Sequence, residues 1–377
     1  MAARSRSPWK GTRIRMNRDK NREKTKANLR RAAVMATVVL TTATILTGCN
    51  NERKENELAY RQAGIECMQS GDYAGALTAF ESALSQCTGS IGETEIDICY
   101  YKAAAQYASG DMEGALATYN ALVDYDKKNA NAYYMRGCLQ LQMGQGDGAL
   151  ADFASAVKYN SEDYELYINI YKNLTAYNLN TEGEEYLNQA FSIKGDGAEN
   201  LAYRGEIYYL LGENENALTE LNAALEKGSV DANLVLAQVY EALGDAEMAE
   251  SCYKTYVDSG VADSAALCAL AEIEMAKQDY AQALTYVEQG LAMEEVTNRR
   301  QLMQNQVICM EYTGDFTGAW NVACEYVTLY PDDMEMQREY IFLKNRQAAP
   351  TEVQEVQAEV VQSTEAVTPD STESTAQ

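Results

Sequence analysis

From about residue 57 to residue 333, apolar positions recur with the period of a helix rather than the alternation of a strand. In Gly71–Leu84 (Gly-Asp-Tyr-Ala-Gly-Ala-Leu-Thr-Ala-Phe-Glu-Ser-Ala-Leu), small Ala76, aromatic Phe80 and small Ala83 stand at i, i+4 and i+7, on one helical face. The arrangement returns seven more times. Its small residue is then Ala115, Ala149, Gly183, Ala217, Ala249, Ala283 and Ala319, at successive spacings of 39, 34, 34, 34, 32, 34 and 36 residues. Each copy follows a second apolar-faced stretch, such as Tyr133 to Leu139 before the turn at Gly144. Two antiparallel helices per unit are predicted, in about eight units. One such unit cannot bury its apolar stripe alone, so neighbouring units must stack. The small residues belong where helices cross closely, and a larger side chain at Ala149 should overpack that contact by about 1–3 kcal/mol.

The units fall near 57–88, 96–129, 130–163, 164–197, 198–229, 230–263, 264–299 and 300–333. Extra residues before the second, around Gly89 to Glu95, read as an enlarged loop. Residues 334–347 place Met336, Tyr340 and Leu343 on one face and predict a helix that caps the end of the stack. Residues 348–377, without Lys, Arg or aromatics, predict a disordered acidic tail.

With Tyr60, Gly64, Tyr73, Ala76, Phe80 and Ala83 in the first unit, the pattern resembles the tetratricopeptide repeat family. Tyr133, Gly137, Ala149, Phe153 and Ala156 in the third, and Gly205, Tyr208, Ala217, Leu221 and Ala224 in the fifth, carry the same resemblance. It departs from the family in lacking a first-helix Trp and in degenerate fourth and seventh units (Gly183, Leu187; Val287, Gly290). The resemblance implies an all-α, right-handed α-solenoid of about eight helix pairs with a C-terminal capping helix. It also implies a concave groove lined by the first helix of each unit. The matching positions are Tyr100, Ala104 and Tyr107, then Asn131, Tyr134 and Cys138, then Lys172, Glu206, Tyr209, Gln238, Glu241 and Glu272. Tyrosines lead in one half and acids in the other. The family's carboxylate clamp would need Lys and Asn where Arg61, Ile65 and Met135 stand, so a chaperone-tail adaptor is not expected.

Charge sharpens this picture. The formal net charge is -25, but residues 1–48 carry 12 Lys or Arg against Asp19 and Glu23, so the body is still more acidic. Such a field repels nucleic acid and favours basic partners, while also keeping a long array soluble. The basic start is followed by uncharged residues 32–50, ending in Leu46-Thr47-Gly48-Cys49. This order resembles a bacterial lipoprotein signal peptide (1–48), with Cys49 as the lipid-bearing first mature residue and 49–56 as a short tether. A lipid-anchored protein on the extracytoplasmic face of a bacterial membrane is therefore expected, with an uncleaved signal anchor as the alternative.

Candidate chemistry is sparse. The chain has no His, which removes His-based nucleophilic triads and metal sites. Gly144-Gln145-Gly146-Asp147-Gly148 lies between two helices and reads as a turn. Asp124 and Asp126 open a calcium-like loop, but Asn129 and Met135 stand where its Gly and closing Glu belong. Beyond Cys49, eight cysteines include Cys252 and Cys268 on consecutive helices; packing or a disulfide is open for that pair. No cofactor and no catalysis are expected. The reading is a scaffold in the cell envelope that binds an unknown protein or peptide; the alternative is a carbohydrate- or wall-polymer-binding lipoprotein stacking sugars on the same tyrosines.

Overall fold

The computed structural model describes residues 49–347, apart from 88 and 262. The leader read at 1–48 and the tail read at 348–377 lie outside the described residues. Among the described residues there are seventeen α-helices and no strand, an all-α chain of consecutive helix pairs. No described helix is long and apolar enough to cross a membrane.

The chain divides into two compact units at Lys194 and Gly195. The first holds four hairpins: α1 (Cys49–Gln69) with α2 (Tyr73–Ser85), α3 (Glu93–Ala108) with α4 (Met112–Tyr125), α5 (Ala130–Gln142) with α6 (Gly146–Tyr159), and α7 (Tyr164–Ala176) with α8 (Asn180–Ala190). The second holds four more and a last helix. These are α9 (Ala198–Leu210) with α10 (Asn214–Glu226), α11 (Ala232–Leu243) with α12 (Ala246–Tyr256), α13 (Ser264–Ala276) with α14 (Tyr280–Leu291), α15 (Arg299–Thr313) with α16 (Phe316–Leu329), and α17 (Met334–Gln347).

Local chemistry explains the hairpins. At the first turn Gly71 takes φ 78°, a left-handed conformation that ends α1 without steric cost. Asp72 then caps α2, its carboxylate accepting from the Gly75 N–H at 2.9 Å. The same aspartate cap recurs at Asp111, Asp245, Asp279 and Asp315. Asn178 and Gln278 occupy the left-handed slot in the fourth and seventh pairs, where the sequence motif looked weakest. Those pairs form because Leu187 and Val287 still bury completely.

Close helix approach needs the small residues. A Cβ on Gly137 would stand 2.8 Å from Phe153 Cε1, so Gly at that position lets the Phe153 ring lie against the α5 backbone. Ala76, Ala115, Ala149, Ala217, Ala249, Ala283 and Ala319 are all fully buried.

Two expectations are corrected here. Residues 49–56 are the first two turns of α1 rather than a tether, and Glu57 is buried with Lys54 donating to it at 2.8 Å. The loop before the second hairpin is shorter than expected: α3 takes in Glu93 to Glu95, because the Glu95 carboxylate reaches back to accept from the Gly92 N–H at 2.8 Å and so satisfies the N-cap amide. The eight cysteines after Cys49 are all free, Cys252 and Cys268 included; both are buried, so their role is packing.

At the end of the second unit two carboxylates respond to pH in opposite directions. Partial burial, reinforced by Glu339 and opposed by Arg346, pushes Glu311 on α15 up to about 7. Against its own partial burial, hydrogen bonds from Arg300 (2.7 Å) and Tyr326 (2.6 Å) hold Asp333 down at about 2. Between pH 4.5, the ordinary value for Glu311, and about 7 the folded state therefore binds more protons at that site, and stability falls as pH rises. The Asp333 contribution is present above its ordinary 3.8 and is lost as pH falls towards about 2. Glu311→Gln is expected to flatten the upper slope and leave the acid limb intact, measured as denaturation midpoints from pH 3 to pH 8. A Gln variant with the same upper slope would assign that slope to another group.

Candidate functional site

In the first unit the structure separates the predicted groove residues. Tyr100 on α3 is 9% exposed and its hydroxyl donates to Asn129 Oδ1 at 2.8 Å. Burial pushes its phenol up to about 12. Tyr134 on α5 is 3% exposed, packs on Phe153 at a centroid distance of 6.0 Å, and accepts from Asn173 Nδ2 at 2.9 Å. Both are core side chains that tie one hairpin to the next, not an open platform, which corrects their assignment to a groove surface. Their burial follows from register: each ring lies against its own second helix, Tyr100 on Tyr119 and Tyr134 on Phe153, and each hydroxyl meets an Asn of the next first helix, the Asn129 cap of α5 and Asn173 on α7. Tyr107 is half-buried and Lys172 is exposed.

The second unit brings its predicted residues together. Tyr209 on α9, Glu241 on α11 and Glu272 on α13 are electrostatic neighbours on successive first helices, Glu272 about one turn earlier in its unit than the other two. Burial and the nearby Glu241 raise the Tyr209 phenol. The Tyr253 hydroxyl on α12 donates to Glu241 Oε2 at 2.9 Å. Glu241 lies at the surface, yet its carboxylate tip is partly desolvated, and this, with Glu272 nearby, raises its pKa against the Tyr253 hydrogen bond. Glu272 Oε1 accepts from Gln301 Nε2 at 2.6 Å and from Asn305 Nδ2 at 3.3 Å, both on α15. Cys268 Sγ lies 3.4 Å from the same oxygen, and burial followed by Glu272 pushes its thiol up to about 12. Glu206 and Gln238 are half-buried on α9 and α11.

The result is an acidic strip edged by tyrosine, running across α9, α11, α13 and α15. It concentrates negative potential and offers carboxylates, amides and phenols as hydrogen-bonding groups. Among the described residues no group of three or more His, Cys, Asp or Glu side chains is arranged to hold a metal ion.

Sequence reasoning missed Tyr253, Gln301 and Asn305, which hold the two glutamates in place. It also missed a recurring ion pair. Arg136 binds Asp152 and Arg204 binds Glu220, across α5–α6 and α9–α10. The signal was present: each Arg directly precedes a close-contact Gly (Gly137, Gly205), and each acid directly precedes the ring or Leu packed on that Gly (Phe153, Leu221).

Family models described as TPR repeat match residues 104–144, and models described as tetratricopeptide repeat match 130–163 and 234–295. These matches support the tetratricopeptide repeat family. The repeats of this family generally form non-catalytic scaffolds that bind proteins or peptides. Similar solved structures include a tetratricopeptide repeat protein from Parabacteroides merdae, at 15% identity over 77% of this chain and 99% of that one, with a TM-score of 0.41. PilW, a type IV pilus biogenesis factor, is 17% identical over 55% of this chain and 97% of its own, with a TM-score of 0.43. A human IFIT1 dimer with m7Gppp-AAAA is 16% identical over 80% and 79%, with a TM-score of 0.48. A comparison with curated protein sequences found no match.

Proposed function

We propose that the second unit is a protein-binding scaffold that takes a basic, extended segment of a partner along the strip formed by Tyr209, Glu241 and Glu272. The observation that carries this reading is the proximity of Glu241 and Glu272 on successive first helices, the Glu241 carboxylate partly desolvated and bonded by Tyr253, the Glu272 carboxylate bonded by Gln301 and Asn305. A Lys or Arg side chain arriving there meets pre-oriented acceptors, and the strip repeats at the spacing of neighbouring helices, which suits several contacts along one extended chain. The wall-polymer alternative is weakened because Tyr100 and Tyr134, two of its proposed sugar platforms, are core residues. Anionic polymers would also be repelled by the acidic strip.

The proposal extends to location. Leu46-Thr47-Gly48-Cys49 after an apolar, uncharged run supports a lipid anchor on Cys49 at the extracytoplasmic face of a bacterial membrane, and hence a scaffold in the cell envelope. One set of cells tests both parts. Full-length protein titrated with an unstructured Lys/Arg-rich peptide is expected to bind in a salt-sensitive way, and Glu241→Gln with Glu272→Gln to weaken Kd at least about tenfold. Equal binding of a Glu-rich peptide, or no change in the double variant, overturns the acidic-strip reading. Cys49→Ser is expected to move the protein from the membrane fraction to the soluble fraction and to remove its lipid mass; a chain that stays membrane-bound without lipid overturns the anchor.

A further inference from the structure

Two tyrosines meet at the surface where the seventh hairpin joins the eighth. In the seventh turn Gln278 takes φ 66° and Asp279 caps α14, which sets Tyr280 at the first position of that helix. In the eighth, Gly314 at φ 87° ends α15, and Tyr312 lies two residues before it. The start of α14 packs beside the end of α15, so the two rings stack, with centroids 4.1 Å apart and planes within 5° of parallel. Neighbouring hairpins leave these two slots differently filled: Tyr73 with Ala108, Met112 with Gln142, Ala246 with Ala276.

Burial does not explain the stack, because Tyr312 is 68% exposed and Tyr280 is only half-buried. Partial burial, then the charge and hydrogen bonding of Tyr312, push the Tyr280 phenol up, so the two hydroxyls are neighbours. With planes and hydroxyls aligned, the ring carbons beside each hydroxyl also face one another. In a phenoxyl radical the unpaired electron occupies the π system and is concentrated at those carbons, above and below the ring. Face-to-face approach is therefore the one along which two such radicals join, and here it exists before oxidation begins.

Other tyrosine pairs lack one requirement or another. Tyr133 and Tyr159 are 5.8 Å apart and 23° from parallel, and the Arg136 guanidinium lies over one ring and the Lys158 ammonium over the other, where positive charge resists removal of an electron. Tyr326 and Tyr330 approach to 4.9 Å, but they are tilted by 51° and Tyr326 is fully buried.

We propose that Tyr280 and Tyr312 form an oxidative crosslinking site, at which a peroxide-driven one-electron oxidant ties the seventh hairpin to the eighth through a carbon–carbon bond. Each phenol gives one electron to the oxidant and its hydroxyl proton to water. The two phenoxyls then pair at the carbons beside their oxygens, and the hydrogens on those carbons move to the oxygens to restore two phenols. One hydrogen peroxide takes up the two electrons and two protons and leaves as two waters, so the chain loses two hydrogens. The bond holds the start of α14 to the end of α15.

Dilute full-length protein, treated with a haem peroxidase and an equimolar amount of hydrogen peroxide, tests this. The intact mass is expected to fall by two hydrogens, and peptide mapping to join the Tyr280 peptide to the Tyr312 peptide of the same chain, in at least about tenfold excess over any Tyr133–Tyr159 link. Tyr280→Phe and Tyr312→Phe each keep a stacking ring but cannot form a phenoxyl at that position. Each should remove the link and leave the helical circular dichroism unchanged. Coupling mainly between copies, an equal yield at Tyr133 and Tyr159, or oxygen added to methionine without any tyrosine coupling overturns the proposal.

Discussion

Phe153→Ala is expected to destabilise the third hairpin by about 3–5 kcal/mol. The ring is fully buried, lies directly on the Gly137 backbone, meets Tyr134 at 6.0 Å in a tilted arrangement and meets the edge of Tyr186 at 6.5 Å. It therefore joins two successive repeats, and its loss opens a cavity between packed helices. In a repeat protein each hairpin leans only on its neighbours, so the damage should be local. Hydrogen exchange should accelerate in α5 to α8 and much less in α13 to α16. Adding Gly137→Ala refills part of the space and should recover some stability, although Gly137→Ala alone clashes with Phe153; a double-mutant cycle reads that coupling. Uniform loss across the chain, or additive effects of the two changes, would reject the picture of Phe153 as a local pin between the third and fourth hairpins.

Asp152→Ala should cost about 2–3 kcal/mol, more than an exposed ion pair, because its partner is left short of acceptors in a poorly hydrated place. Arg136 gives two parallel hydrogen bonds to this carboxylate, Nε to Oδ2 and Nη2 to Oδ1, each 2.7 Å, and a third from Nη1 to Asn120 at 2.8 Å. Only 7% of the Asp152 side chain is exposed. The guanidinium also lies over the Tyr133 ring at 5.5 Å, so it is fixed and cannot swing out to recover water without losing that contact. Replacing both partners, as Arg136→Met with Asp152→Leu, should return most of the stability, since an apolar pair leaves no buried charge. Denaturant midpoints of the three variants check this. If the double replacement is as damaging as Asp152→Ala, the cost comes from packing and not from an orphaned guanidinium.

Much of the architecture was legible before any coordinates. Ala76, Phe80 and Ala83 announce a helix face by spacing alone, and Gly71-Asp72 announces the break before it, because few residues other than Gly accept a left-handed φ and Asp is a strong helix cap. The weak fourth and seventh units were readable too, since burial of Leu187 and Val287 tolerates loss of the aromatic. What could not be read was where the long side chains go. Tyr100 and Tyr134, at the fifth position of their units, turn into the core to reach Asn129 and Asn173, whereas Tyr107 and Tyr209, at the twelfth, stay half-buried. The start of α1 escaped for a related reason: Asn50 to Asn56 is wholly polar, so no apolar period marks it, and it is held as helix in part by Lys54 reaching Glu57 and Glu95.

The amino-acid order by itself determined the number of hairpins, their turns and the small residues at their crossings, because each depends on contacts within about thirty-four residues and on backbone preferences that a residue carries with it. The tertiary structure alone decided which tyrosines are core and which face solvent, how Arg136 finds Asp152, and that Glu241 and Glu272 share one acidic strip. Those outcomes turn on side-chain direction and on partners supplied by the next repeat, and helical period does not encode either.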